Sequence, residues 1–588
     1  MLKRLAARPH EDNTAFHLPS HANYTAMQSA EVLADHFSTI SHEYEPLSMS
    51  SLPPNVRNFL QNYDPHVAPS LSVSAVRQRL IRAKKPAGIV PGDLPKKVVQ
   101  HCVNELAAPV TLLFNTITKA AHYPSDWKIE HQIPIPKVYP PNSEDDLRNI
   151  AKTPFLSKVY ESFLADWLLS YIKPFLDPNQ CGVKGSSISH YLIKLLHFVH
   201  QTLDQKKPHV VLAACFDLSK AFNRVDHILV IQHLYDMQTP AWLLNIVASY
   251  LTNRTMKMTY NGAESSLKYI PAGTPQGAFL GGLIFIIKFN GAFLRPPIPR
   301  PGPLCDSSSE KVKYIDDGTV AVSINLKSSL IIDPTNRPRP ATFSERSGHI
   351  LPPQNNLLQF YVEDTEAFAT ENNMKINKKK THLIKFTNAR KLDFPPEVQF
   401  CDGTLLDVVE QTTLLGVVVS SDLKWKRNTD YICNKARRKL WILRRMMKLN
   451  LTEYELFDVY QKEIRSILEF AAPVWHSGLT RRQTSEIESV QKSAFKIILG
   501  KSYDSYKSAC IRFTTDTLEQ RRQKLCLRFA IKNINSSNSM FTRHNENINL
   551  RRKNKIVKEY KCNKTKFQHS SLPYKGEYIT PNMQTFPK

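Results

Sequence analysis

The sequence lacks the cysteine patterns of zinc knuckles and of disulfide-bonded secreted domains. Its nine cysteines are scattered along 588 residues, and no two of them form a C-x-x-C pair. An odd number of unclustered thiols is typical of proteins from reducing compartments. We therefore expect an intracellular protein with free thiols, not a secreted one.

A secretory leader and a membrane-spanning run are also missing from the sequence. The first residues, "MLKRLAARPHEDNTAFHLPS", contain no apolar core of the kind that a signal peptide needs. The longest apolar window, residues 277–294, carries Lys288 in its middle, where a charge is costly in lipid. We expect this window to form a buried helix, and we expect no membrane partner.

Acidic residues are fewer than basic residues in this sequence. The chain has 52 Asp and Glu against 78 Lys and Arg, a formal net charge of +26. Such an excess favours a polyanionic partner, and with the membrane set aside this means nucleic acid. The hydrophobic content of 42% is enough for sizeable cores, and 588 residues exceed one core. We therefore expect two to four folding units.

The hydrophobic periodicity changes repeatedly between helix and strand. Helical spacing appears around residues 26–40 and in 72–128, 155–176 and 240–252, with 155–176 patterned as a long amphipathic helix. Residues 133–137 are typical of a short strand, and the nearly continuous apolar run 209–218 is typical of a buried strand. These patterns predict an α+β protein.

Three further stretches have a distinct character. Residues 295–310 and 333–353 are rich in Pro, Ser and Arg, and we expect surface excursions without regular structure. After residue 430 the chain is helical and basic. There the apolar positions Ile432, Ala436, Leu440, Leu443 and Met447 recur at helical spacing, while Arg437, Arg438, Arg444 and Arg445 lie off that stripe. An ordinary solvated face explains these arginines as well as a binding surface does.

Two adjacent carboxylates, Asp316 and Asp317, stand in "KYIDDGTV" between two apolar runs. The pattern predicts strand, tight turn and strand, and Asp-Gly is a strong hairpin signal by itself. Most such turns are only turns. A second carboxylate, Asp217, ends the buried strand upstream in "FDLSKAF". Carboxylates from a strand end and a hairpin can hold the divalent ions that nucleotide polymerisation requires, but this pairing alone is only suggestive.

Several blocks of the sequence follow one another in the order of one protein family. In these blocks, over about residues 70–500, the chain resembles a reverse transcriptase of the non-LTR (LINE-type, jockey-like) retrotransposon group. They match that family's fingers motifs and its motifs A to E. The blocks are "IPIPK" (133–137), "RNIAKTPFLSKVYE" (148–161), "FDLSKAF" (216–222), "GTPQGAFLGGLIF" (273–285), "YIDD" (314–317), "MKINKKKTHLIKF" (374–386) and "LLGVVVSSDLKW" (414–425).

The resemblance implies a metal site. Asp217 and Asp316 would be metal ligands, and Asp317 would be their tandem partner with a less direct share in the metal. Two Mg²⁺ ions would be the cofactors, with Mn²⁺ as a substitute.

The resemblance also implies residues that bind the incoming nucleotide. Lys137 and Arg148 would contact its triphosphate, since a planar guanidinium suits a phosphate fork; both are otherwise plain surface charges. Phe222 would be a steric gate that excludes a 2′-hydroxyl, or else a core residue. Gln276 and Gly277 would begin the motif B helix and line the nucleotide pocket.

Two more functions follow from the later motifs. Lys380, in motif D, would be the general acid that protonates the pyrophosphate leaving group, although "KKK" leaves the register open by a residue or two. Leu415-Gly416 would position the primer end as a primer grip. The basic helices after 430 would clasp the template–primer backbone.

The chain departs from the family pattern at three positions. Asn223 stands where motif A commonly has Asp, which we expect to modify the site without abolishing it. Asn149 and Ala151 stand where the family has Pro and Ser, and these replacements would loosen the fingers.

The implied architecture is a right-hand polymerase with fingers, a palm with a small antiparallel sheet, and a helical thumb. We expect an N-terminal extension or linker in 1–70, fingers and palm in 71–428, the thumb in 429–500 and a basic C-terminal extension in 501–588. The partners would be an RNA template, a DNA primer or target DNA, and dNTPs. The location would be the nucleus, a cytoplasmic ribonucleoprotein or both. An endonuclease, which we do not find in the first 70 residues, would come from another chain or a missing upstream domain.

Two alternatives remain beside an active RNA-directed DNA polymerase. One is a catalytically silent or domesticated RNA-binding relic that keeps the fold. The intact carboxylates at Asp217, Asp316 and Asp317 favour the active enzyme, because a relic has no chemical need for them. The other is an enzyme of the group II intron maturase or telomerase type, which fits the sequence around 420–447 less well.

Overall fold

The computed structural model describes residues 16, 18–83, 90, 92–206, 209–295, 308–325, 330–332, 338–340, 357–388 and 397–534. Helices and strands are mixed along the chain, as the periodicity predicted. The helices are α1 (Ala26–Thr39), α2 (Pro54–Gln61), α3 (Val73–Arg82), α4 (Lys96–His101), α5 (Val103–Ala120), α6 (Phe155–Ile172), α7 (Ile188–Leu203), α8 (His227–Asp236), α9 (Ala241–Leu251), α10 (Phe279–Lys288), α11 (Leu357–Glu371), α12 (Lys426–Met447), α13 (Glu453–Tyr460), α14 (Ser466–Glu469), α15 (Ala472–Trp475), α16 (Arg481–Leu499), α17 (Tyr506–Arg512) and α18 (Leu518–Ile534).

The strands form two larger sheets and two separate hairpins. They are β1 (Ile129–Pro136), β2 (Leu147–Lys152), β3 (His209–Phe216), β4 (Thr255–Tyr260), β5 (Ala263–Glu264), β6 (Lys268–Tyr269), β7 (Ser309–Tyr314), β8 (Asp317–Asn325), β9 (Leu330–Ile332), β10 (Pro338–Pro340), β11 (His382–Thr387), β12 (Asp407–Val409), β13 (Gln411–Leu414) and β14 (Val417–Ser420).

Strand β3 is the middle strand of a five-stranded sheet ordered β12-β11-β3-β8-β7. It takes that place because its apolar side chains point to both faces, and every residue after His209 is buried. β3 runs antiparallel to β11 and to β8, and β8 runs antiparallel to β7. Strand β12 joins the edge in parallel to β11, so the sheet is antiparallel except at that edge.

A second sheet is built around β1, which pairs antiparallel with β2 and parallel with β4. The short strands β5 and β6 pair with β4. The β1–β2 register places Arg148 opposite Ile135 and Asn149 opposite Pro134. This sheet therefore carries the two candidate fingers blocks side by side.

The N-terminal helix α1 covers one side of this second sheet. A reciprocal capping box between Thr25 and Gln28 begins the helix, and such a cap contributes about 1 kcal/mol. The helix packs against β4, and Leu33 and Phe37 join the same apolar cluster as Met258. The segment before residue 71 is thus part of the folded body, and the predicted boundary at 70 stays a prediction.

Helix α6 confirms the predicted helix at 155–176 but not its amphipathic character. Its first half is buried around most of its circumference because helices contact it on opposite sides. It packs against α10, and the ring of Tyr160 lies 5.0 Å from the ring of Phe114 on α5. The buried residues of this half are Phe155, Ser157, Val159, Tyr160, Glu161, Ser162, Phe163 and Leu164.

The apolar window 277–294 forms the buried helix α10, as predicted. No helix within the described ranges combines the length and apolarity that a membrane crossing needs. Lys288, the last residue of α10, is completely buried, and in the described structure its Nζ has no hydrogen-bond partner. Burial lowers the pKa of this ammonium to about 8, with Asp226 acting in the opposite direction.

We expect Lys288→Met to stabilise the fold by about 3 kcal/mol at pH 7, because 1.4 kcal/mol accompanies each unit of pKa difference. The folded-state pKa lies below the unfolded value of 10.5. The penalty is therefore full below pH about 8 and disappears as the pH rises past 10.5. Urea unfolding of both proteins at pH 7 and pH 10 measures this. A stability difference that is the same at both pH values contradicts the assignment.

From residue 426 to residue 534 the chain is mostly helical, as expected, and α12 packs along α16. Ile432, Ala436, Leu440 and Leu443 form the buried stripe of α12. The prediction that Met447 belongs to this stripe is wrong, because Met447 is 39% exposed. Met446 is buried instead. Arg437 faces outward, with its Nη2 3.4 Å from Ser489 Oγ.

The stretches rich in Pro, Ser and Arg lie mostly outside the described residues. Two short pieces contradict the prediction that they lack regular structure. Ser309 begins β7, and Pro338–Pro340 forms β10, which pairs antiparallel with β9. Most of the predicted basic C-terminal extension, beyond residue 534, also lies outside the described part.

Candidate active site

Asp217 directly follows β3, where the buried strand leaves the sheet. Its N–H donates to Thr381 Oγ1 at 3.2 Å, and its carbonyl oxygen accepts from the N–H of Asn377 at 2.8 Å. Both partners belong to the segment that leads into the neighbouring strand β11. Two strands of the sheet therefore fix the backbone that carries this carboxylate.

The hairpin β7–β8 brings the other two carboxylates to the same end of the sheet. Phe216 of β3 pairs with Gly318 of β8. One further step in this antiparallel register places Asp217 opposite Asp317. Asp316 lies in the connection between β7 and β8. The three predicted carboxylates are thus neighbours, although they lie about a hundred positions apart in the sequence.

The electrostatics show that these carboxylates repel one another. Burial raises the pKa of Asp316, and Asp217 raises it further. Burial, then Asp316, then Asp217 raise the pKa of Asp317 to about 7. Burial also raises the pKa of Asp217. Three acidic groups in a low-dielectric site favour an added cation, because it relieves both desolvation and repulsion.

The carboxylate oxygens fit a magnesium ion that would also bind oxygen atoms of a substrate. In the described part of the chain, no group of three or more His, Cys, Asp or Glu side chains is arranged to hold a metal ion. Mg²⁺ usually binds through one or two carboxylates, and its remaining ligands are waters and phosphate oxygens. Hard carboxylate oxygens of Asp217 and Asp316 with raised pKa values suit this open mode of binding.

The hairpin turn differs from the predicted Asp-Gly turn. The two-residue connection is Ile315-Asp316, and Ile315 has a φ of +57°, which is a strained value for a β-branched residue. Gly318 lies inside β8 instead. A Cβ at Gly318 would lie 2.7 Å from the ring of Phe293, so close packing explains this glycine. The prediction of the hairpin is confirmed, and its turn residues were wrong.

The predicted triphosphate ligands Lys137 and Arg148 and the predicted general acid Lys380 lie around the carboxylates. Lys380 and Lys137 both act to lower the pKa of Asp217, and Arg148 acts in the same way on Asp316. Burial, followed by Lys380 and Arg148, lowers the pKa of Lys137. The structure therefore gathers all three predicted cations close enough to influence the carboxylates.

A cleft that is open to solvent is lined by the predicted nucleotide-pocket residues Phe222 and Gln276, among others. Phe222 stacks on Phe285 of α10, with ring centroids 5.3 Å apart and planes at 26°. The ring is therefore at once a packing residue and part of the cleft wall. Both interpretations of Phe222 from the sequence are compatible with this position.

Two of the three departures from the family pattern, Asn149 and Asn223, line this cleft, and the third, Ala151, contacts the cleft residue Gln276. Asn223 lines it beside Phe222. Asn149 is buried, and its Nδ2 donates to Gln132 Oε1 at 2.9 Å. The backbone N–H of Ala151 donates to the carbonyl oxygen of Gln276 at 3.1 Å. Asn149 and Ala151 thus tie β2 to β1 and to Gln276. That their replacement of Pro and Ser loosens the fingers stays a prediction.

Gln276 and Gly277 precede the motif B helix and do not begin it, because α10 begins at Phe279. Gly277 has a φ of +117°, a conformation that side chains disfavour. The nearest atom to a Cβ there is the carbonyl oxygen of Ala151, at 3.5 Å. Backbone conformation, not lack of space, therefore explains this glycine.

Leu415-Gly416 forms the two-residue connection of the β13–β14 hairpin. Both residues have positive φ, +48° and +84°, as a type I′ turn requires. A Cβ at Gly416 would lie 3.2 Å from the ring of Phe470. The predicted primer-grip residues are thus at the tip of a rigid hairpin.

These site residues lie almost entirely within one matched region. Residues 135–419 match the family model described as reverse transcriptase (RNA-dependent DNA polymerase). We call residues 135–419 the reverse transcriptase domain, after the family model that they match. The three carboxylates and the three cations of the site lie inside this range, and so do the cleft residues Phe222 and Gln276.

Curated relatives extend the similarity beyond the reverse transcriptase domain. The RNA-directed DNA polymerase from mobile element jockey of Drosophila melanogaster is 24% identical over 442 residues, which cover 73% of this chain and 44% of the relative. The probable RNA-directed DNA polymerase from transposon X-element of the same organism is 24% identical over 438 residues, 73% of this chain and 43% of the relative. The chain spans less than half the length of these relatives.

Among solved structures, a telomerase from Candida albicans in complex with the TWJ fragment of telomeric RNA aligns with a TM-score of 0.31 and 10% identity. The alignment covers 74% of this chain and 67% of that chain. No residue of the reverse transcriptase domain is assigned from it.

A buried ion pair beside the β7–β8 hairpin was missed in the reasoning from sequence. Lys313 of β7 is fully buried, and its Nζ lies 2.6 Å from Asp177 Oδ2. The same Nζ donates to the carbonyl oxygens of Asn290 and Ala292, at 2.6 and 2.9 Å. Asn290 Oδ1 in turn accepts from the N–H of Asp177 at 2.8 Å. These contacts join the hairpin to the chain after α10 and after α6.

Gln180 was also missed. Its Oε1 accepts from the N–H of Ile315 at 3.0 Å and from the N–H of Gly182 at 2.8 Å. The side chain is buried and supports the strained turn of the reverse transcriptase hairpin. The only local signal is "DPNQ" after an apolar helix, which predicts a turn but not its contact.

Proposed function

We propose that the chain is an RNA-directed DNA polymerase of a non-LTR retrotransposon, which extends a DNA primer on an RNA template. The convergence of Asp217, Asp316 and Asp317 at one end of the sheet around β3 carries the proposal, and Asp217 raises the pKa of both other carboxylates. Such a group of carboxylates inside a region that matches the reverse transcriptase family model would be a site for nucleotidyl transfer. A relic that only binds RNA would gain nothing from three half-buried acids crowded at one end of a sheet.

Each predicted site residue would have its own function in nucleotide addition. Asp217 and Asp316 would hold two divalent ions, with Asp317 beside them. The bound ions would activate the 3′-hydroxyl of the primer and screen the charge of the leaving pyrophosphate. Lys137 and Arg148 would bind the phosphates of the dNTP and orient it for attack.

The remaining predicted residues act around the nucleotide. Phe222 would lie against the sugar and disfavour a 2′-hydroxyl, while Gln276 and Gly277 line the pocket. Lys380 would donate a proton to the leaving pyrophosphate. Leu415 and Gly416 would position the primer end.

We propose the right-hand arrangement for the larger architecture. The β1–β2 sheet would form the fingers, the sheet around β3 the palm, and the helices from α12 onward the thumb. The exposed arginines of α12, such as Arg437 and Arg438, would contact the sugar–phosphate backbone of the template–primer. Contacts of this kind depend on shape and salt, which suits an enzyme that copies any sequence.

Primer extension tests the proposal directly. We expect the purified chain to extend a DNA primer annealed to an RNA template when dNTPs and Mg²⁺ are present. Chelation of Mg²⁺ is expected to stop extension, and readdition of Mg²⁺ or Mn²⁺ to restore it. Wild-type protein that binds the template–primer but adds no nucleotide would show that the chain is a binding relic.

A further inference from the structure

An acidic turn lies over the predicted phosphate-binding cations. Glu144–Asp146 forms a short 3-10 helix between β1 and β2, closed by a capping box between Ser143 and Asp146. The carboxylate of Asp145 lies 3.0 Å from Lys220 Nζ. The backbone carbonyl oxygen of the same residue accepts from Lys137 Nζ at 2.8 Å. One residue thus engages two lysines, Lys137 and Lys220.

Lys220 lies three residues after Asp217, beside the catalytic carboxylates. It has a φ of +51°, and its carbonyl oxygen accepts from the N–H of Asn223. Its charge acts on the pKa of Lys137, as does the charge of Lys380. Lys220 is therefore part of the same cationic group as the predicted triphosphate ligands, although its motif assigned it no function.

Residues of the N-terminal segment also contact the acidic turn. Ser20 Oγ donates to Glu144 Oε1 at 2.9 Å, and His21 Nε2 lies 3.1 Å from the same oxygen. His36 of α1 lies 3.5 Å from Asp145 Oδ1. Two neighbouring acids of the turn thus face different partners, and the contact between Asp145 and Lys220 can break while Glu144 keeps the turn in place.

We propose that Lys220 is an additional triphosphate-binding residue and that the carboxylate of Asp145 occupies its place until a nucleotide arrives. A carboxylate and a phosphate offer similar anionic oxygens to an ammonium group. An incoming triphosphate would take over Lys220 and Lys137, and Asp145 would turn to solvent. This inference rests on the proposed polymerase function.

The exposure of the pair supports an exchange of partners. The Asp145 side chain is 69% exposed and that of Lys220 is 29% exposed. An ion pair this open to water is weak, so a ligand of higher charge can displace the carboxylate. Hydrogen bonding from Lys220 is the largest cause that lowers the pKa of Asp145, so Asp145 is ionised and able to compete at neutral pH.

Two variants test the exchange through dNTP kinetics. Asp145→Asn is expected to lower the KM for dNTP about two- to fivefold with little change in kcat, because a weak competitor is removed. Lys220→Met is expected to raise that KM about tenfold, because one charged contact to phosphate is lost. In the double variant the Asn substitution is expected to add nothing. A matched control is Asp458→Asn, which removes an exposed ion pair with Lys462 on α13.

Binding of inorganic tripolyphosphate, measured by calorimetry, tests the same residues without catalysis. We expect tighter binding to Asp145→Asn and weaker binding to Lys220→Met than to wild type. If wild-type enzyme extends primers but Asp145→Asn behaves like Asp458→Asn in both assays, the inference is overturned while the proposed function stands. If wild type extends no primer, the proposed function fails, and the calorimetric comparison still decides whether Asp145 competes for Lys220.

Discussion

Asp316→Asn is expected to lower the rate of primer extension about a thousandfold while leaving the protein folded. A carboxylate that holds a catalytic ion contributes several kcal/mol to the transition state, and each 1.4 kcal/mol is a factor of ten in rate. The amide keeps the size of the side chain but removes the negative charge. Single-turnover extension at saturating dNTP measures the loss in the chemical step.

Stability separates this catalytic effect from a structural one. Burial and Asp217 raise the pKa of Asp316, so its charge is a burden on the folded state. Asp316→Asn is therefore expected to unfold at the same or a higher urea concentration than wild type. Asp458→Asn, on the exposed face of α13, is expected to change neither measurement. Extension that survives Asp316→Asn would remove this carboxylate from the metal site.

Lys313→Met is expected to have the largest effect on stability, a loss of about 3–5 kcal/mol. Removal of one partner from a buried ion pair leaves the other charge uncompensated. Here Asp177 would remain 3% exposed without its ammonium. The carbonyl oxygens of Asn290 and Ala292 would also lose their donor. Equilibrium urea unfolding monitored by circular dichroism measures the change.

The double variant Lys313→Met/Asp177→Leu sharpens the test. We expect it to be more stable than Lys313→Met alone, because replacing both charges with apolar groups avoids the buried unpaired carboxylate. The exposed pair of Lys462 and Asp458 provides the comparison, since its loss is expected to cost less than about 1 kcal/mol. Equal losses for the buried and the exposed pair would show that Asp177 does not depend on Lys313.

The sequence was most informative where a local pattern determines the structure. The apolar run before Asp217 predicted a buried strand with a carboxylate at its end, and the structure confirms both. The apolar runs on both sides of Asp316 and Asp317 predicted the hairpin. The predicted turn was wrong because Gly318 serves a distant contact: the ring of Phe293 occupies the space of a side chain. Tertiary packing, not turn propensity, therefore determines the residue at position 318.

The residues that were missed depend on contacts between distant parts of the chain. Lys313 looks like an ordinary strand lysine, and Asp177 like an ordinary turn residue, until the fold brings them to 2.6 Å. Asp145 and Lys220 likewise belong to separate blocks, and each is unremarkable alone. The order of motifs locates the blocks, but it does not say which charges from different blocks meet.

The N-terminal segment contributes residues to a cleft that the family match covers only in part. Phe37 of α1 and Ser41 after it form part of the wall of the cleft that contains Phe222 and Gln276. The family match begins only at residue 135. A recombinant fragment cut to the matched region would therefore lack part of the wall of this cleft.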